Sequence, residues 1–157
     1  MRTNYLISNK FKPLGWVLFI IGIIAGFFLF GTEYESEILK VKVVSLYSGD
    51  SIFSSDEGFF RIIENSILDE LIALSIIIGG LIVGFSKEKV EDEFIYKLRK
   101  DSLVWAMLFN YLVLALAIMF IYDFTFFDVL VFNMFTPLIF FIIRFNFLKL
   151  KSVSHEE

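Results

Sequence analysis

The sequence predicts an all-α integral membrane protein with four transmembrane helices. Of its 157 residues, 57% are hydrophobic and 21 are Phe, and its mean hydropathy is +0.75, whereas an ordinary soluble domain is about 45–50% apolar. The apolar residues form four runs, at 14–30, 67–85, 103–122 and 126–143. Each is close to the roughly 17–25 residues that a helix needs to cross the hydrocarbon of a bilayer. We therefore expect 1–157 to be a single membrane domain.

The first run follows basic residues, as the apolar core of a secretory signal does. It is longer than the roughly 7–15 residues of such a core, and no small-x-small cleavage site follows it. We therefore expect it to remain in the protein as a membrane anchor.

The distribution of basic residues predicts the orientation of the spans. If the N-terminus is cytoplasmic, 11 of the 14 basic residues fall on the cytoplasmic side, as the positive-inside rule requires. Both termini are then cytoplasmic. The 11 residues are Arg2, Lys10, Lys12, Lys87, Lys89, Lys97, Arg99, Lys100, Arg144, Lys149 and Lys151.

The outer segment, 32–66, lies between the first two runs and carries seven acidic and three basic residues. Residues 38–47 alternate Lys with β-branched residues, which predicts a strand. From residue 57 onward the apolar residues have helical spacing, which predicts an amphipathic helix that leads into the second span.

The connection at 86–102 is the most highly charged stretch, yet Val90, Phe94 and Leu98 repeat at helical spacing. We expect a cytoplasmic amphipathic helix that continues from the second span. Two interpretations are open: the apolar stripe rests on the bundle or on lipid, or it docks a cytoplasmic protein partner. The candidate partner surface is Val90, Phe94, Lys97, Leu98, Arg99 and Lys100.

Two GxxxG patterns lie inside apolar runs, Gly22 with Gly26 and Gly80 with Gly84. Small residues allow two helix backbones to approach closely in a membrane. We expect these faces to pack the first two spans together, and a homodimer through one of them is the alternative. The third and fourth spans are separated by only a few residues, which predicts an antiparallel helical hairpin.

A few polar residues lie at or near membrane depth. Asp69 and Glu70 are a candidate ion site, although carboxylates in the first turn of a helix also anchor it at the interface. Asn110, Asn133 and Thr136 are a candidate polar cluster between the third and fourth spans, either as interhelical hydrogen bonds or as a pocket for a polar solute.

Several functional classes are excluded or disfavoured by the composition. The chain has no Cys and one His, His155, so we expect no metal site and no cofactor. We find no catalytic constellation and no phosphate-binding glycine loop, and we expect no enzymatic activity. A net charge of −4 argues against nucleic-acid binding.

Two stretches carry a family resemblance. FSKEKVEDEFI at 85–95, continuing to SLVWA at 102–106, and VFNMFTPLIFFIIRFN at 131–146 resemble a family of small uncharacterised bacterial four-span inner-membrane proteins. The resemblance implies a bacterial inner (plasma) membrane location. It implies no catalytic or binding residue.

The leading functional hypothesis is a non-enzymatic accessory or signalling subunit that acts through protein contacts at 86–102. The alternative is a small transporter or channel subunit for an ion or a small polar solute, using Asn110, Asn133 and Thr136 with Asp69 or Glu70.

Overall fold

The computed structural model describes residues 6–31, 40–48 and 58–153. His155 and residues 32–39 and 49–57 of the outer segment lie outside the described residues. After a short 3-10 turn, Asn9–Phe11, come the helices α1 (Lys12–Gly31), α2 (Leu68–Phe85), α3 (Glu93–Phe120) and α4 (Phe124–Val153), and the strands β1 (Lys40–Ser48) and β2 (Gly58–Ser66) lie between α1 and α2. The four α-helices are long and apolar enough to cross a membrane.

The helices are neighbours in the order α1, α2, α4, α3. The pairs α1–α2 and α3–α4 are in extensive contact, and a smaller contact between α2 and α4 joins them. The start of α1, the α2–α3 connection and the end of α4 lie at one end of the bundle, which we call the junction end. The opposite end, next to the two strands, is the β-hairpin end.

Glycine allows close contact between α1 and α2. A Cβ atom added at Gly22 would lie 2.8 Å from Ile76 Cγ1, and one added at Gly79 would lie 2.5 Å from the backbone nitrogen of Phe19. At Gly26 the nearest atom would be Ile72 Cγ2 at 3.5 Å, an ordinary van der Waals distance. The first GxxxG motif therefore faces α2, but the closest approach is at Gly79, outside both motifs.

The second GxxxG motif faces α4. A Cβ at Gly80 would lie 2.5 Å from Leu138 Cδ2, and one at Gly84 would lie 2.5 Å from Phe141 Cε1. The expectation that both glycine faces pack the first two spans together is therefore corrected for the second motif: the Gly80 and Gly84 face receives large side chains from α4. Both motifs are used in contacts within this chain.

The buried core is concentrated toward the junction end. Val83, Ala106, Phe141, Ile142 and Phe145 are almost completely buried there. Many other large apolar side chains of the helices are exposed, to an extent that a soluble monomer rarely shows. This distribution suggests a helical membrane bundle.

The third helix differs from the expected arrangement. The helix predicted at 86–102 does not continue from the second span, because α2 ends at Phe85 and Ser86 is extended. Helix formation resumes at Glu93, where Asp92 accepts a hydrogen bond from the backbone nitrogen of Ile95 at 2.8 Å. This N-cap starts a single helix that runs to Phe120.

The outer segment contains a two-stranded antiparallel hairpin in the part that the structure describes. β1 overlaps the stretch predicted as a strand, but β2 occupies the stretch predicted as an amphipathic helix, so that expectation is corrected. Short apolar runs rich in β-branched and aromatic residues fit either structure. Pairing along the ladder from Lys40↔Ser66 to Ser48↔Gly58 gives each strand hydrogen-bond partners that it would lack alone.

Candidate functional site

Residues 86–92, the junction loop, connect α2 to α3 and are held by the N-terminal segment. The backbone nitrogen of Ile7 donates to the carbonyl of Phe85 at 2.9 Å, and the nitrogen of Lys87 donates to the carbonyl of Ile7 at 2.9 Å. Asn9 Nδ2 donates to the carbonyl of Lys87 at 2.6 Å. The segment before α1 therefore fixes the first part of the loop.

Glu88 connects the loop to two helices. Its carboxylate accepts a hydrogen bond from Lys12 Nζ in α1, and its Oε2 lies 3.3 Å from Lys149 Nζ in α4. Burial alone would raise the pKa of the Glu88 carboxyl, but the hydrogen bond and charge of Lys12 and the charge of Lys149 hold it below its usual value. Glu88 is therefore ionised at neutral pH, and its charge links α1, the loop and α4.

Arg99 holds the other end of the loop. This α3 side chain is 4% exposed, and its two terminal nitrogens donate to the Glu91 carboxylate at 2.5 and 3.2 Å. Nη2 also donates to the Ser86 carbonyl at 3.2 Å, and the guanidinium lies 5.1 Å from the ring centroid of Phe145 in α4. The planar fork of Arg suits this combination of a carboxylate, a carbonyl and a ring.

These contacts hold the loop that carries Val90, and Phe94 lies close to it in the first turn of α3. Val90 is 72% exposed and Phe94 is 51% exposed, although Glu88 and Glu91 beside Val90 are both held by ion pairs. Val90 and Phe94 border a cavity of about 770 Å³ that also involves Trp16 and Leu150. We call Val90, Phe94 and Leu150 the junction surface.

The candidate partner residues therefore fall into an exposed group and a buried group. Lys97 and Lys100 are exposed with Val90 and Phe94, whereas Leu98 is half-buried and packs against the core. The expectation that Arg99 belongs to the partner surface is corrected, because the side chain is buried. Its guanidinium binds the junction loop instead.

The candidate polar cluster is not formed. Phe109 of α3 stacks on Phe140 of α4 at 4.4 Å between ring centroids. In antiparallel helices this contact places Asn110 and Asn133 about 9 Å apart along the bundle axis, at about 1.5 Å per residue. Thr136 donates to the carbonyl of Phe132 in its own helix at 3.2 Å. Asn110 Oδ1 and Asn133 Nδ2 are each buried without a hydrogen-bond partner, so no hydrogen bond through these two atoms joins α3 to α4.

Asp69 and Glu70 are exposed in the first turn of α2 and border a second cavity, the outer cleft, of about 540 Å³. It lies between α1, α2 and α4 toward the β-hairpin end. Asp128 of α4 also lines it, a residue that the sequence did not single out.

Sequence reasoning also missed Glu88, Lys12, Lys149 and Glu91 as parts of one junction. Charged residues are usually solvated, so the residue types alone give no signal for these contacts. The only local signal was Asp92, whose type and position before an apolar stripe are typical of an N-cap. That cap would have placed the helix start after the loop.

The fold and junction define a four-helix bundle with a fixed apolar surface at one end. The chain matches no protein-family model, and no curated protein or solved structure is significantly similar to it.

Proposed function

We propose that this protein is a non-enzymatic accessory or signalling subunit that acts through protein contacts. In this proposal it is located in a bacterial inner membrane. In this proposal the four helices cross the bilayer, both termini are cytoplasmic, and the junction surface docks a cytoplasmic protein. The basic residues at the junction end support the orientation. The family resemblance of 85–95 and 131–146 supports the bacterial inner membrane.

One observation carries the docking proposal: Val90 is the most exposed of the junction-surface residues and lies in the loop fixed by Glu88 and Glu91. An exposed apolar side chain in a loop gains nothing from burial within its own chain. If the backbone beneath it is already ordered, a partner can bury it at a smaller cost in conformational entropy. The adjacent Phe94 adds an aromatic side chain, a type enriched among residues that dominate binding energy.

The partner that fits this surface presents apolar side chains to Val90, Phe94 and Leu150, with polar groups around them. The charged groups that line the same cavity are Lys12, Glu88, Lys89, Asp92 and Lys149. Because both signs are present, we expect the rim contacts to set the orientation of the partner more than its affinity.

The test is the double variant Val90→Asp with Phe94→Asp, purified in a gentle detergent with its bound proteins. Losing one or two apolar anchors costs about 1–2 kcal/mol, so we expect recovery of the partner to fall about five- to thirtyfold. Thermal unfolding of the bundle should change little, because both side chains are exposed.

The matched control is Val44→Asp, which makes the same change at an exposed valine in β1, far from the junction loop. We expect it to leave recovery of the partner unchanged. The proposal is overturned if the double variant recovers as much of the partner as Val44→Asp does, or if the wild-type protein carries no protein in stoichiometric amount.

A further inference from the structure

The outer cleft results from the way the helices pack along their length. Toward the junction end, α2 and α4 are in close contact where Leu138 meets Gly80 and Phe141 meets Gly84. Toward the β-hairpin end no glycine contact of this kind joins the two helices among the described residues, and the space between them is the cleft. The cleft therefore lies beside a closed core, on the side away from the junction surface.

The walls of the cleft are apolar. They include Ile23 and Phe27 of α1, Ile76 of α2, and Val131, Phe135 and Ile139 of α4. The volume of about 540 Å³ lies within the roughly 300–1,000 Å³ of pockets for small ligands. Two turns of a helix about 10 Å across would fill roughly 800–900 Å³, so the space suits a single hydrocarbon chain better than a helix.

Among the residues that the structure describes, the charges lining the cleft have one sign. They are Asp69, Glu70 and Asp128, and all three are near the β-hairpin end. The positive N-terminus of α2 accounts for Asp69 and Glu70, but Asp128 is beyond the first turn of α4. A carboxylate there has no such stabilisation, and it extends the negative charge to the opposite wall of the cleft.

We propose that the outer cleft binds one acyl chain of a bilayer lipid whose headgroup carries a primary amine, as in phosphatidylethanolamine. The chain occupies the space between Ile76 and Ile139, and the amine lies among the carboxylates of Asp69 and Asp128. A lipid with a net negative headgroup is disfavoured at this rim by repulsion between like charges. The proposal rests on the proposed insertion into a bilayer and is independent of the docking of a cytoplasmic protein.

The test is native mass spectrometry of the full chain, delipidated in detergent and then given equal amounts of phosphatidylethanolamine, phosphatidylcholine and phosphatidylglycerol. We expect one retained phosphatidylethanolamine, favoured about two- to fivefold over phosphatidylglycerol, since exposed charge pairs contribute up to about 1 kcal/mol. The double variant Asp69→Asn with Asp128→Asn should retain lipid without this preference.

Filling the cleft provides the second arm of the test. Val131→Trp and Ala73→Phe fill it from opposite walls, and each should reduce retention of every lipid severalfold. Because they act on different helices, a folding defect in one leaves the other as a test. Val104→Trp enlarges an exposed valine of α3 outside the cleft and should behave as the wild type.

Three outcomes would overturn the proposal: retention by Val131→Trp and Ala73→Phe equal to that of Val104→Trp, a preference for phosphatidylglycerol, or a dimer whose formation Val131→Trp abolishes. In the last case a second copy of the chain covers the cleft. Failure of bilayer insertion itself would be seen separately, as a protein that stays soluble without detergent and retains no lipid of any class.

Discussion

Arg99→Ala is expected to destabilise the bundle by about 2 kcal/mol, because it removes the charge-assisted hydrogen bonds that a buried guanidinium makes to the junction loop. The variant leaves Glu91 without its bidentate partner and removes the bond to the Ser86 carbonyl. The contact with Phe145 is lost as well. Thermal unfolding in detergent should show a lower midpoint and a less cooperative transition, because the junction end is loosened first.

Two further variants separate the contacts of Arg99 from its charge. Arg99→Lys keeps the charge but cannot make the forked contact, so an intermediate loss of stability is expected. Lys100→Ala removes an exposed cation next to it in sequence and should change the midpoint little. If Arg99→Ala is as stable as Lys100→Ala, Arg99 does not hold the junction loop.

Gly79→Ala is expected to weaken the packing of α1 on α2. The added Cβ would lie 2.5 Å from the backbone nitrogen of Phe19, 2.9 Å from its Cα and 3.0 Å from the carbonyl oxygen of Gly15. All three atoms are backbone atoms, so no side-chain rotation can relieve the overlap and the helices must separate. Overpacking of this kind costs about 1–3 kcal/mol, measured as a lower midpoint of thermal unfolding.

Gly26→Ala is the matched control, since it makes the same substitution on the same pair of helices. Its Cβ would be 3.5 Å from Ile72, and alanine favours a helix more than glycine does. We expect the stability of this variant to equal or exceed that of the wild type. Equal losses at Gly79 and Gly26 would show that the close α1–α2 contact is not where the structure places it.

The sequence indicated the number of helices because a run of about 20 apolar residues has few alternatives. The second run, 67–85, nearly coincides with α2, Leu68–Phe85. The third helix begins ten residues before its run, and the fourth ends ten residues after its own. Hydropathy marks the apolar part of a helix, whereas caps and packing set its ends.

The junction was much harder to predict. Arg99 and Glu91 are eight residues apart, on opposite sides of the Asp92 cap, so the helical i,i+4 rule does not pair them. Glu88 meets Lys12 and Lys149, which are distant in sequence. Contacts of this kind depend on how the helices are arranged, and a single sequence does not contain that information in local form.

The partner of each glycine face was unpredictable for the same reason. GxxxG indicates that a helix approaches closely, but not which helix. The sequence therefore does not determine which helix each glycine contacts. In the structure Gly80 and Gly84 contact Leu138 and Phe141 of α4, whereas Gly79 contacts α1.

The central claim is that the four helices cross a membrane with the junction surface on the cytoplasmic side and the β-hairpin on the other side. The chain has no Cys, so Val90→Cys and Val44→Cys each introduce one thiol, at exposed positions of the two ends. The measurement is labelling with a membrane-impermeant maleimide in spheroplasts, before and after permeabilisation. We expect Val44→Cys to be labelled before permeabilisation and Val90→Cys only afterwards, whereas labelling of Val90→Cys in sealed spheroplasts would contradict the account.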